Sequence, residues 1–233
     1  MKKYLIIIGN FGSGKTELAL NIAFEAAETK KVTFVDLDIV NPYFRSTERK
    51  AELEAAGIRL LSPSFTNLGV EVPSLPAEIF SAFSDNSDLV IFDVGGDDTG
   101  AIALGQYHRF FSKIDRSAIE VLYVVNARRP FSAELESNLD MIEKVTGAGR
   151  IEIDALVNNT NLSQEPLDGY KMLRSISERL NLPVRFTVGV EPVISEFAQY
   201  AKEHELDENF IGTIRPIKRY MHRDWDSYTK SGL

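Results

Sequence analysis

The chain has 233 residues, 44% of them hydrophobic, a formal net charge of −8 and no cysteine. The missing cysteines exclude disulfides, thiol catalysis and cysteine-ligated clusters, and the acidity argues against nucleic acid as a default partner, because an acidic surface repels phosphate backbones. The length suits one α/β unit, so a single domain over residues 1–233 is expected, soluble and cytoplasmic.

The first apolar run is Tyr4-Leu5-Ile6-Ile7-Ile8, behind Met1-Lys2-Lys3. A glycine cuts it off too early for a signal-peptide core or a membrane span, so it reads as a first strand. Directly behind it stands Gly9-Asn10-Phe11-Gly12-Ser13-Gly14-Lys15-Thr16, the pattern G-x-x-x-x-G-K-T. Glycines let a backbone wrap around a polyphosphate, and a helix starting near Gly14 aims free N–H groups at the anion. Lys15 is expected to reach the outer phosphates and the Thr16 hydroxyl to ligate Mg²⁺. The pattern predicts a nucleoside-triphosphate site.

Strands are expected at 4–8, 31–36, 58–61, 89–94, 118–125, 151–157 and 184–188. Helical patterns lie between them at about 15–29, 46–56, 76–83, 101–111, 132–146, 164–180 and 192–205. Unbroken apolar runs such as Leu89-Val90-Ile91-Phe92 indicate strands covered on both faces. The alternation predicts a doubly wound, mainly parallel sheet of about seven strands with helices on both faces, binding its ligand at the strand C-termini. The longest irregular stretch, 62–76, carries Pro63, Pro73 and Pro76 and reads as a surface loop.

Two further segments fall at strand ends. Asp36-Leu37-Asp38 follows the second strand, and Asp93-Val94-Gly95-Gly96 closes the apolar strand before it. Asp93 is placed to hold Mg²⁺ through water, and the Gly96 N–H to touch a terminal phosphate. Asp after a strand is also a common turn former, but convergence on one phosphate loop favours the metal reading.

Together the glycine loop, the Asp-Leu-Asp and the Asp-Val-Gly-Gly resemble the MinD/ParA/CobQ-type P-loop ATPases, a group that includes nitrogenase iron proteins and metal-insertion ATPases. The element order matches over nearly the whole chain, while the specific motifs sit in its first hundred or so residues. The resemblance implies that Asp38 orients the attacking water, that Asp36 supports the Mg²⁺ shell and that Asp93 holds the metal through water. Many members carry a second lysine after the first loop glycine; here Asn10 stands there. That departure speaks against cross-subunit lysine catalysis and for slow hydrolysis; Arg45, Arg128 and Arg129 are the candidate replacement cations, though a solvated surface arginine is the commoner role for any one of them. A homodimer stays open as a partner state.

The strand at 151–157 runs into Asn158-Asn159-Thr160-Asn161. An Asn there resembles the adenine-contacting Asn of the nitrogenase-like relatives, which makes Asn158 the first candidate and Asn159 the second. A guanine reader would want the carboxylate of Asn-Lys-x-Asp, which this stretch lacks, so ATP is favoured over GTP. Gly189-Val190-Glu191-Pro192 offers another wall for the base. The basic tail around 214–225 carries interleaved aromatics, but Pro216, Asp224 and Asp226 argue against a lipid-binding helix and favour one docked on the domain. His108, His204 and His222 have no metal-ligand spacing. The aromatic cluster 41–45 after Asp38 reads as a core element or a switch that meets a partner.

The expected function is Mg²⁺-dependent ATP binding with slow hydrolysis, coupled to rearrangement of residues 38–45 and 95–105. Two other classes stand beside it: a phosphotransferase or ligase like CobQ and dethiobiotin synthetase, acting on an acidic small molecule, and a positioning or metal-insertion ATPase acting through an unidentified protein partner.

Overall fold

The computed structural model describes residues 1–38, 49–62, 77–160 and 166–221. Eight strands run Tyr4–Ile8 (β1), Val32–Leu37 (β2), Arg59–Leu61 (β3), Leu89–Val94 (β4), Ile119–Val125 (β5), Ala155–Asn158 (β6), Val184–Gly189 (β7) and Thr213–Pro216 (β8). They form one sheet in the order β3-β2-β4-β1-β5-β6-β7-β8, and every neighbouring pair is parallel. The helices are Lys15–Ala27 (α1), Lys50–Ala55 (α2), Asp98–Gln106 (α3), His108–Phe111 (α4), Leu135–Gly149 (α5), Pro166–Leu180 (α6) and Val193–Glu203 (α7). Among the described residues no helix is long and apolar enough to cross a membrane.

Burial explains the apolar strands. Tyr4, Ile6 and Ile8 of β1 face a core with α3, α4, α5 and α6, while Leu5 and Ile7 face a second core with α1 and α2. Each residue of such a strand meets a helix layer on one side or the other, so polar alternation has no place in it. After β1 the chain builds β2, β3 and β4 on one side and then crosses to β5 on the other. This reversal opens the crevice in which a doubly wound sheet receives its ligand, and the glycine loop leaves β1 there.

The sheet has one strand more than the hydrophobic pattern predicts. β8 is an edge strand of exposed and half-buried residues, Thr213-Ile214-Arg215-Pro216, whose final proline fits only at an edge. β6 starts at Ala155 instead of 151, because Asp154 turns its carboxylate back to accept the Val121 N–H at 2.8 Å. The pattern at 101–111 divides into α3 and α4 at the buried Tyr107, which packs against Phe80 and Phe83. The segment Ala77–Phe83 is a 3₁₀ helix. Beyond β8, the chain lies along α1 without forming a helix over the described residues: Tyr220 stacks on Phe24 with ring centroids 4.7 Å apart, and Glu17 accepts the Tyr220 and Met221 N–H groups. The rest of the basic tail, from His222 on, lies outside the described residues, as do the aromatic cluster 41–45 and the loop 63–76.

α3 and α5 pack closely because a Cβ at Gly105 would collide with the Ala148 carbonyl. Gly105→Val should therefore force the helices apart and cost about 1–3 kcal/mol, as overpacking does, read as a lower urea midpoint at unchanged slope. A wild-type midpoint would contradict this packing.

Candidate functional site

The glycine loop takes its shape from positive backbone angles, with φ of 76° at Gly12 and 86° at Gly14, where only glycine is unstrained. Gly14 is also the residue from which α1 starts. A Cβ there would run into the Asn159 amide, and that amide explains the fit: Asn159 Nδ2 donates to the Ser13 carbonyl at 2.8 Å and to Gly14 O at 3.4 Å. The end of β6 thus holds the loop from one side.

Asn10 holds it from another. Its side chain is buried and turned inward, its Nδ2 donating to Tyr123 Oη at 3.2 Å and to Asn138 Oδ1 at 3.3 Å. Asn138, fully buried on α5, also donates to the carbonyls of Ser132 (3.0 Å) and Glu134 (2.9 Å). Neither Tyr123 nor Asn138 belongs to a recognisable sequence motif. The available signal is an Asn at the core-facing spacing of Met141, Ile142 and Val145. Phe11, the next loop residue, is half exposed, and Ser13 is buried.

The acidic residues meet the loop through strand register. Asp36 of β2 lies directly opposite Asp93 of β4, and Asp93 opposite Ile7 of β1. Both carboxylates are almost completely buried. Asp36 accepts the Asp38 N–H at 2.9 Å, Thr16 hydrogen-bonds Asp93, and Asp93 Oδ1 is left buried with no hydrogen-bond partner. Lys15, also buried, donates from Nζ to the Asn10 carbonyl at 3.1 Å. Gly95 and Gly96 close the group. A Cβ on Gly96 would stand 2.6 Å from Phe11 N and 2.7 Å from Lys15 Nζ, and one on Gly95 would stand 3.3 Å from Asp38 Oδ1. Asp97 caps α3 by accepting the Gly100 N–H at 2.9 Å.

Burial pushes the Asp93 carboxyl up to about 8, and the neighbouring Asp36 charge adds to it, against opposing effects from Thr16 and Lys15. The same burial lowers Lys15, with Asp93, Asp38 and Asp97 pulling the other way. An orphaned, buried carboxylate oxygen beside a threonine hydroxyl is what a bound cation would satisfy, so these residues fit Mg²⁺. Among the described residues no group of three or more acidic, histidine or cysteine side chains could hold a metal by itself.

The remaining predicted residues are placed as follows. Asn158 is fully buried; its Nδ2 donates to Pro166 O at 2.9 Å and its Oδ1 accepts the Thr160 N–H at 3.1 Å. Its amide thereby ties β6 to the start of α6, whereas the Asn159 amide meets the loop. Asn161 and Arg45 lie outside the described residues. Arg128 pairs with Asp168 at 2.6 Å, while the Arg129 stem lies against Gly12.

No protein-family model matches the chain, and no curated protein matches it in sequence. Solved structures match it in fold. The chloroplast FtsY of Physcomitrella patens superposes with a TM-score of 0.55 at 18% identity, over 80% of this chain and 58% of that one. The cell division protein FtsY of Thermotoga maritima gives 0.52 at 19% identity, over 83% and 63%. FlhF complexed with GTP and Mg²⁺ gives 0.52 at 18%, over 83% and 68%. The chain spans less than two thirds of either FtsY. These likenesses show the P-loop NTPase fold, and they do not single out the MinD/ParA/CobQ group that the motifs resemble.

An acid whose pKa rises on folding keeps its proton in the folded chain where the unfolded chain has lost it, so it lowers stability as pH climbs. For Asp93 that loss runs from its ordinary 3.8 to about 8. Without Mg²⁺, Asp93→Asn should therefore melt above wild type at pH 8, with a flatter pH dependence across this window. An equal or lower melting temperature at pH 8 would remove the electrostatic account of the site.

Proposed function

We propose that the protein is a Mg²⁺-dependent nucleoside-triphosphate switch that hydrolyses its nucleotide slowly, with ATP as that nucleotide. The observation that carries the reading is the buried Asp36–Asp93 pair, with its unpartnered oxygen, set against Lys15 and Thr16 of the glycine loop. In this reading Lys15 exchanges its bond to the Asn10 carbonyl for phosphate oxygens, and loop N–H groups from Gly12 to Thr16 surround the inner phosphates. Thr16 and Asp93, with Asp36 behind them, would hold Mg²⁺, which supplies charge neutralisation for the phosphates. Asp38, half-buried and next to Gly95, orients a water for attack on the terminal phosphorus. The oxygen–phosphorus bond to the diphosphate then breaks and phosphate leaves.

Gly96 has backbone room only for itself against the loop, so a terminal phosphate must be accommodated by movement of Gly95-Gly96 and of α3, which Asp97 caps. That is the coupling a switch needs. The inward Asn10 side chain offers no cation to a second subunit, which accords with slow turnover. For the base, the preference for ATP rests on the sequence of the strand end, Asn158-Asn159-Thr160-Asn161, which has no carboxylate to pair with guanine; the buried Asn158 and Asn159 amides are themselves committed to the Pro166 and Ser13 carbonyls. GTP is the second reading, favoured by the similarity in fold to FlhF complexed with GTP and Mg²⁺.

Calorimetry with ATP, ADP and GTP, with and without Mg²⁺, tests the reading. ATP should bind more tightly than GTP and only weakly without Mg²⁺, and Lys15→Ala should cost about a hundredfold or more, the scale of a lost charge-assisted phosphate contact. Tighter GTP binding would reassign the base. No nucleotide binding, or Lys15→Ala binding like wild type, would overturn the function. Light scattering on the same samples reads the assembly: doubling of mass only with ATP marks a dimeric switch, and ADP release only with an added metabolite marks a transferase.

A further inference from the structure

Arg129 sits in the turn after β5, and the fold fixes its backbone twice: its N–H donates to the Asn126 carbonyl at 3.0 Å and its carbonyl accepts the Ser132 N–H at 2.8 Å. Asn126 is itself buried and accepts the Arg128 N–H on its side chain at 3.1 Å, while Thr160 Oγ1 accepts the Ala127 N–H at 3.0 Å. This is a rigid mount for an exposed residue. From it the side chain runs across the phosphate loop: a Cβ on Gly12 would lie 3.5 Å from Arg129 Cδ and 3.7 Å from Nε. Its neighbour Arg128 is neutralised by Asp168, but the Arg129 guanidinium makes no hydrogen bond or ion pair with any described residue.

An unpaired guanidinium held over a loop shaped for a polyanion, in a molecule of net charge −8, calls for a ligand. The acidic side of the site sharpens the need. Asp36, Asp38, Asp93 and Asp97 all gather at the loop, with Lys15 as the cation buried among them. We propose that Arg129 is a phosphate-contacting residue in cis, reaching over Gly12 to donate its planar fork to the outer phosphates of the bound nucleotide. This rests on the nucleotide reading above and adds to it a second cation from the same chain. The fork suits Arg better than Lys, since it can donate two parallel N–H bonds to one phosphate group. A Cβ on Gly12 would touch the Arg129 stem at ordinary van der Waals distance, so the stem lies directly on the loop backbone.

The test compares wild type, Arg129→Ala, Arg129→Lys and Lys15→Ala by calorimetry with ATP, GTP, ADP and adenosine, each with Mg²⁺, and by phosphate release. Arg129 is exposed, so both Arg129 variants should melt like wild type. Arg129→Ala should bind the preferred triphosphate about tenfold more weakly, the scale of one charge-assisted contact, with a smaller loss for ADP and none for adenosine. Phosphate release should fall with it, and Arg129→Lys should recover part of both. Triphosphate affinity and phosphate release within twofold of wild type would overturn the proposal, and so would an equal loss for adenosine. If wild type binds no nucleotide, or Lys15→Ala binds as well as wild type, the parent reading fails and this inference falls with it. Lys15→Ala failing while Arg129→Ala binds normally sinks the Arg129 role alone.

Discussion

Two carboxylates placed opposite each other in a parallel sheet are the constraint around which the site is arranged. The register of β2 against β4 sets Asp36 beside Asp93 at the buried end of the strands, where neither charge is well solvated. Such a pair cannot stay doubly ionised without a cation, and the folded chain answers with a raised Asp93 pKa. Lys15 opposes this only in part, because burial works against its own charge. Stability is thus given up at one point of an otherwise apolar sheet, and that concession is a mark of function.

Around this pair the loop is held by buried amides. Asn159 grips its helix-side carbonyls, and Asn10 anchors its strand side to Tyr123 and Asn138. Asn138 reaches on to Ser132 and Glu134, so the loop and the turn bearing Arg129 share one polar network. Two consecutive strand ends and the first turn of α5 therefore set the position of a backbone whose glycines give it little stiffness of its own. Side chains behind the loop thus fix its shape, and the loop adds a turn of its own, the Ser13 N–H donating to the Asn10 carbonyl at 3.1 Å.

The fold was legible in the sequence because its signals are of the kind that burial on both faces creates. β1 begins and ends where its unbroken apolar run does, and β4 begins with its run and continues through the buried Asp93 to Val94. β8 was not legible, because an exposed edge strand ending in Pro216 carries no such run. The site was legible where chemistry demands a residue type at a fixed spacing, as with Gly14, Lys15, Thr16 and the aspartates at strand ends. It was not legible where the partner is distant in sequence. Asn10 looks from the motif like a lost cation, and only the fold shows it as a donor to Tyr123 and Asn138. Asn158 and Asn159 are adjacent and identical in type, yet the pleat sends one toward α6 and the other to the loop. Likewise Arg128 and Arg129 are told apart by what the turn sets beside each, Asp168 for one and Gly12 for the other.

The charges also dictate how a ligand must arrive. A polyphosphate alone would meet Asp36, Asp38 and Asp93 across the loop, and a divalent cation alone would have to displace the proton from Asp93 while leaving Lys15 close by. Each is favoured once the other is present: phosphate draws off the Lys15 charge, and the cation lets both carboxylates ionise. Under the proposed function, binding of nucleotide and metal is reciprocal by linkage, with each raising the affinity for the other by the same factor. The step that completes the pair falls where Gly95 and Gly96 abut the loop and where Asp97 begins α3. The electrostatic requirement at the floor of the site and the segment most constrained at its mouth are therefore parts of one device, joined by the short chain from Asp93 to Asp97.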